Sequence, residues 1–275
     1  RSLLVCLPVE CTNKEATESD NLPSLSILLV EDIELNVIVA KALLEKLGHQ
    51  VDVAENGKQA LQKVANKQYQ LILMDIQLPD MDGYEITARL RVLYPQLPPI
   101  VALTANAFSD KDSFINKGMD DALGKPLSVN SFNSMIKHFF TKQQLLDKQQ
   151  ITHVNSTEKE QEETLFDNVM LLELLEFLPV SVMLENIALF EKLMPDYMQV
   201  LESNMVAKDK KGIVCEAHKI KGAAGSVGLK RIQTLAQKIQ SPDLPAWWDN
   251  IDDWVELISI NYRNDISELK KWVVK

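Results

Sequence analysis

The chain is short of glycine, with nine in 275 residues. Three of the nine, Gly222, Gly225 and Gly228, fall within seven positions of one stretch, EAHKIKGAAGSVGL (216–229). A glycine inside a helix costs about 0.5–1 kcal/mol relative to alanine, so a cluster of them in helix-like sequence calls for a reason. Cysteine is scarcer: Cys6, Cys11 and Cys215 are odd in number and lack C-x-x-C spacing, which excludes a disulfide scaffold. They read as reduced thiols of a cytoplasmic protein. Long apolar runs are missing as well. VMLLELLEFLPVSVML (169–184) is broken by Glu173, Glu176 and Pro179, whereas a membrane span needs about 20 mostly apolar residues. Positive charge is in deficit. The net charge of −10 argues against nucleic acid as a direct ligand. Of only four histidines, no pair has metal-ligand spacing such as H-E-x-x-H, so no zinc site is expected.

What is present is ordinary globular material, 46% hydrophobic and 25% charged, at a length that implies two domains. Residues 1–10 read as a single strand, and a polar linker follows to residue 24. From 25 to 140, short apolar runs alternate with amphipathic helices. SILLVED, VDVAEN, YQLILMDIQ, PPIVALTAN and DDALGKPL carry the strands, which alternate with helices. That alternation predicts an α/β domain, a doubly wound sheet of five parallel strands with helices on both faces. Ligands of such sheets bind at the carboxyl ends of the strands, where strand order reverses. Residues 141–164 are polar and glutamine- and glutamate-rich, a linker. From 165 to 275 strand signals vanish, and the periodicity predicts an all-α, four-helix-bundle domain. Pro195 is expected to bend one of its helices.

Four points of the first domain fall at strand ends: Glu31 and Asp32, Asp75, Thr104, and Lys125. The topology brings them to one edge. Clustered carboxylates repel and raise one another's pKa, and a hard divalent cation such as Mg²⁺, which takes oxygen ligands and keeps waters for a phosphate, relieves this. Lys125 adds a point charge suited to a phosphoryl oxygen, and the Thr104 hydroxyl a donor. Asp80 and Asp82 read as loop and turn residues instead.

The set VED, MDIQLPDMDG, LTA and KP resembles the receiver domain of two-component signalling. The resemblance implies a flavodoxin-like, CheY-like fold with Asp75 as phosphoacceptor. Glu31, Asp32 and the backbone carbonyl of Gln77 would join Asp75 in holding Mg²⁺, with Thr104 and Lys125 contacting the phosphoryl group. In one respect the sequence departs from receivers that drive an output domain. Those commonly carry Tyr or Phe three residues before the lysine, where Ala122 stands here.

His49, His138 and His153 read as packing or surface residues. His218 differs: on a helix, Gly222 lies four positions on and Lys221 three, both on its face. Glycine there clears space for a bulky surface to approach the ring, and Gly225 continues that face. The competing reading is a glycine seam for helix–helix packing. His-x-x-Lys-Gly in a helical bundle downstream of a receiver resembles the histidine phosphotransfer (Hpt) domain. By that resemblance His218 is a phosphoacceptor, Lys221 and Gly222 keep its site basic and open, and Gln240 or Gln237 supports the ring.

The two resemblances together imply the C-terminal part of a hybrid sensor histidine kinase. Residues 1–24 would then be the tail of the kinase's ATP-binding domain plus linker. The expected route runs from the phosphohistidine of the kinase core to Asp75, then His218, then an aspartate of a separate response regulator. The linker is expected to let the domains meet transiently. No nucleotide site is present, so no autophosphorylation from ATP is expected of this chain, and no membrane contact. The alternative is a receiver fused to a non-catalytic effector or scaffold bundle in which His218 is inert.

Overall fold

The computed structural model describes residues 23–94, 96–104, 111–141 and 164–275; the expected strand at 1–10, Cys6, Cys11, His153 and most of the 141–164 linker lie outside them. The first domain runs β1 (Ser26–Val30), α1 (Glu34–Lys46), β2 (Gln50–Ala54), α2 (Gly57–Asn66), β3 (Leu71–Asp75), α3 (Gly83–Leu93), β4 (Ile100–Thr104), α4 (Lys111–Asn116), β5 (Asp121–Gly124) and α5 (Val129–Ile136), which continues into a π-helical turn over Lys137–Thr141. All strand pairs are parallel, in the order β2-β1-β3-β4-β5. Chain direction across the sheet therefore reverses between β1 and β3. Because Val30 pairs with Met74, the residues one step on, Glu31 and Asp75, emerge side by side at the carboxyl edge.

Short polar side chains set the helix starts. Asp82 accepts from the N–H groups of Tyr84 and Glu85 at the start of α3, and Asp80 accepts from those of Gly57 and Lys58 at the start of α2. Both acids are thus engaged with free helix donors, as their turn context implies. His49 is buried, accepts from the Leu25 N–H at Nδ1 and meets Phe132 edge-on, a packing role.

The second domain comprises α6 (Asn168–Phe177), α7 (Val180–Val206), α8 (Lys210–Ser226), α9 (Lys230–Gln240) and α10 (Trp247–Val274). Helices α7 to α10 form the bundle, and α6 is tied to the turn between α8 and α9 through Asp167 and Leu171 at Gly228. Pro195 sits inside α7 with its ring exposed, and the helix runs through it unbroken. Across α9 and α10, the fully buried Asp265 is paired with Arg231 through two nitrogens, so the buried charge has a bidentate partner. Among the described residues no helix is long and apolar enough to cross a membrane.

The domains are not apart. One hydrophobic cluster runs from Leu29, Ile33 and Leu35 of the first domain into Leu171, Ile220 and Ala224 of the second, and α1 packs on α6, α7 and α8. The two domains, expected to meet across the linker, are in contact in this structure.

The three clustered glycines separate into three situations. Gly228 lies beyond the end of α8 at φ +81, with Leu229 N–H donating to the Ala224 carbonyl; it is the helix stop rather than an interior flaw. Gly225 backs onto Gln233 of α9, so it belongs to the packing seam and not to the face around His218. Gly222 faces the other domain. Substituting Gly228→Ala forces a left-handed alanine whose Cβ would stand 2.7 Å from Leu171. The expected loss is about 1–3 kcal/mol, read as a lowered denaturant midpoint by tryptophan fluorescence, since Trp247, Trp248, Trp254 and Trp272 all lie in α10.

Candidate functional site

At the carboxyl edge Glu31 and Asp75 are buried and Asp32 is half-buried. Each offers a carboxylate oxygen, and these lie within 4.8 Å of one another. Lys125 reaches them through a backbone link, its N–H donating to the Thr104 carbonyl as β5 extends past β4 (2.8 Å). Its ammonium then bridges Glu31 at 2.6 Å and Asp75 at 2.5 Å. Asn36 Nδ2 donates to Glu31 at 2.9 Å, and the Gln77 N–H to Asp75 at 3.1 Å. Burial pushes both carboxyl groups upward, with Lys125 opposing. Asp32 is pushed up to about 6 by burial and then by the charge of Glu31, and its Oδ1 is buried with no hydrogen-bond partner. Lys125 pays a desolvation cost, but the charges of Asp75 and Glu31 hold its ammonium above the usual lysine range.

Three carboxylates against one ammonium leave the edge anionic. That imbalance, with the orphaned Asp32 oxygen and an all-oxygen donor set, fits a hard divalent cation. Gly83 lets the loop after β3 close over this edge: a Cβ there would stand 2.2 Å from the Asp75 carbonyl.

The second domain completes the site. His218 and Lys221 of α8 and Gln237 and Gln240 of α9 line, together with Asp75, Gln77, Thr104 and Lys125, a single cavity of about 500 Å³. Gln240 Nε2 lies 2.9 Å from His218 Nδ1 and donates to Gln77 Oε1 at 3.1 Å. Gln237 instead accepts from Lys221 Nζ at 2.8 Å, so of the two glutamines left open by the sequence, Gln240 contacts the ring. Lys221 is buried and lowered to about 8, first by burial and then by Lys125. Lys219 turns to Glu216 at 3.0 Å. Burial, with the charges of Lys125 and Lys221, pulls His218 down to about 3. Its imidazole is therefore neutral here, and its Nε2 is buried without a partner. A Cβ on Gly222 would stand 2.6 Å from Ile33 Cδ1 and 3.2 Å from Asn36 Nδ2. Of the two readings of that glycine, the open docking face holds for Gly222 and the seam for Gly225.

A model of the response regulator receiver domain matches residues 27–137, and a model of the Hpt domain matches residues 185–272. The two-component response regulator ORR41 of Oryza sativa subsp. japonica is 43% identical over 120 residues, which are 42% of this chain and 94% of ORR41. By its receiver the chain belongs to the two-component response regulators, and it carries an Hpt domain beside that receiver. Its receiver and Hpt domains together resemble the aerobic respiration control sensor protein ArcB of Escherichia coli (strain K12). Identity there is 54% over 256 residues, 92% of this chain and 32% of the relative; the chain thus spans about a third of that curated relative. A solved structure of the histidine-containing phosphotransfer domain of ArcB from Escherichia coli is 55% identical, covering 40% of this chain and 93% of the other, with a TM-score of 0.40.

Ile33, Asn36 and the side chain of Gln77, which meet the Hpt domain, escaped the sequence reading; the first two belong to the loop and first turn after the acidic pair, where no local pattern marks a docking face. Two outcomes follow from this geometry. Substituting Gly222→Leu is expected to slow phosphoryl exchange between the domains roughly tenfold to a hundredfold by overpacking the contact. It should not weaken the Hpt fold, since leucine is the better helix former; single-turnover transfer and thermal unfolding of the same variant check both. The second concerns pH. An imidazole freed from the contact sheds the charge of Lys125 and the burial that the receiver adds, so its pKa rises toward the ordinary 6.5, while the docked one stays neutral to about 3. Below 6.5 the undocked form binds a proton that the docked form does not. The His218 contribution to docking is therefore complete above that pH, and falls by up to about tenfold per unit below it. Small-angle scattering from about pH 8 to about pH 5 should show expansion on acidification, less in His218→Gln.

Proposed function

We propose that the chain relays a phosphoryl group through Asp75 and His218, on a route that begins at the phosphohistidine of a kinase core and ends at the aspartate of a separate response regulator. The observation that carries this reading is the shared cavity, in which the Asp75 carboxylate and the His218 imidazole face the same space with Lys125 from one domain and Lys221 from the other. In the first step a carboxylate oxygen of Asp75 attacks phosphorus as the P–N bond of the donor phosphohistidine breaks. In the second, a P–N bond forms at His218 Nε2 as the acyl P–O bond breaks and Asp75 leaves as carboxylate. The third repeats the first on the external aspartate.

The side chains suit these roles. A neutral imidazole is a competent nucleophile only if the lone pair faces phosphorus. With the Gln240 amide as placed, Nδ1 accepts, the ring proton falls on the unpartnered Nε2, and Gln240 Oε1 is buried without a donor. Turning the amide over, with Gln77 turned to match, lets Oε1 accept from Nδ1–H and frees the Nε2 lone pair, the arrangement that transfer at Nε2 requires. Lys125 and Lys221 hold the charge of the transferring group from opposite sides, and the Thr104 hydroxyl lies on the cavity wall. Glu31, Asp32, Asp75 and the Gln77 backbone carbonyl would hold Mg²⁺, which when bound neutralises charge on the phosphoryl oxygens.

By likeness to ArcB, the regulator that receives the phosphate resembles ArcA and controls respiratory genes, and the parent is a hybrid kinase anchored in the bacterial inner membrane. Incubation with a phosphorylated kinase core tests the route. Label should appear first as base-labile acyl phosphate and then as acid-labile phosphohistidine. Asp75→Asn should abolish both, and His218→Gln only the second. If Asp75→Asn still accepted phosphate from the kinase, or His218→Gln still passed it to the regulator, the assignment would be wrong.

A further inference from the structure

Helix α6 lies outside both family models, which cover 27–137 and 185–272, yet it is bound to both domains. On the Hpt side the Asp167 N–H donates to the Gly228 carbonyl at 3.0 Å, and Leu171 packs against Gly228. Asp167 also caps α6, accepting from the Met170 N–H at 3.1 Å. On the receiver side the Glu173 carboxylate makes a polar contact. Glu173 Oε1 accepts from Ser128 Oγ at 2.9 Å and from the Asn130 N–H at 3.3 Å. Ser128 is the N-cap of α5, a helix with no acidic residue in its first turn. The positive end of α5 is thus met by a half-buried carboxylate from the other domain, where charge and unsatisfied N–H groups favour one.

We propose that α6 is a docking clasp that selects this chain's own receiver as the partner of His218, with Glu173 as its specificity-determining residue. The proposal rests on the intrachain relay above. The cavity contacts, Gly222 with Ile33 and Gln240 with Gln77, surround the phosphoacceptors themselves. The Glu173 contact lies off that face, three residues beyond Lys125 in the chain, so it holds the segment that carries Lys125 without touching either carrier. An external receiver that lacks a donor pair like Ser128 and Asn130 would meet His218 without the clasp.

A charge-swap experiment on the full chain decides it. Asp75 is charged with phosphoramidate, and the transfer of label to His218 is followed by acid lability in a two-by-two set: parent, Glu173→Lys, Ser128→Asp and the double variant. Aspartate keeps the α5 cap, and circular dichroism confirms the fold of each. Each single change should slow transfer roughly tenfold, because it sets like charge against carboxylate or against the helix N-terminus. The double variant should recover most of the rate, because lysine and aspartate restore an opposite-charge pair. Equal rates in all four proteins would overturn the clasp and leave the relay standing, as would single variants whose loss the double change fails to repair. Absence of histidine label in the parent would overturn the relay, and the clasp with it.

Discussion

The ammonium of Lys125 is the interaction on which the site depends. The sheet order puts β1 beside β3, and this places Glu31 and Asp75, with Asp32 next to them, at one buried edge. Three carboxylates so close repel, and burial raises the cost of ionising each. Lys125, held by the β4–β5 ladder through the Thr104 carbonyl, bridges two of them and leaves Oδ1 of the third, Asp32, without a hydrogen-bond partner. The edge stays anionic enough to take a divalent cation and cationic enough at one point to meet a phosphoryl oxygen. Much of the receiver fold serves to hold this balance: Gly83 permits the close loop, while Asn36 and the Gln77 N–H steady the carboxylates.

The Hpt domain adds a second cation, Lys221, and a neutral imidazole between the two. The same charges that would steady a transferring phosphoryl group make a protonated His218 costly, and burial adds to the cost. The docked site in this way keeps the ring neutral. That division of labour also explains why the Hpt surface needs so little of its own: a histidine, a lysine, a glutamine and a missing side chain.

Much of the fold was legible in the sequence, for physical reasons that also mark where legibility ended. Strand–helix alternation and the acidic strand ends are local patterns, and topology gathers them in one place whatever the packing details. The three glycines were harder. Gly222, Gly225 and Gly228 look alike in sequence, but one faces Ile33, one backs onto Gln233 and one adopts a left-handed φ. Their reasons lie in neighbours far along the chain. Gln237 and Gln240 are one turn apart on α9 and both point toward the cavity, so only coordinates could divide Lys221 from His218 between them. The Glu173–Ser128 contact has no local signature at all: a glutamate on an amphipathic helix is ordinary until its partner helix is in place.

The shared cavity has a consequence for traffic. While His218 fills the mouth above Asp75, neither side chain is open to an outside protein; on the relay proposed above, an incoming kinase histidine and the receiving regulator must each wait for the same pair of surfaces to part. Their apparent affinities are reduced by the fraction of time the module is closed; a module closed 99% of the time would weaken each by about a hundredfold. Contact between the domains thus sets both how fast phosphate crosses inside the chain and how seldom it leaves. On that proposal the module is a turnstile, admitting one exchange at a time.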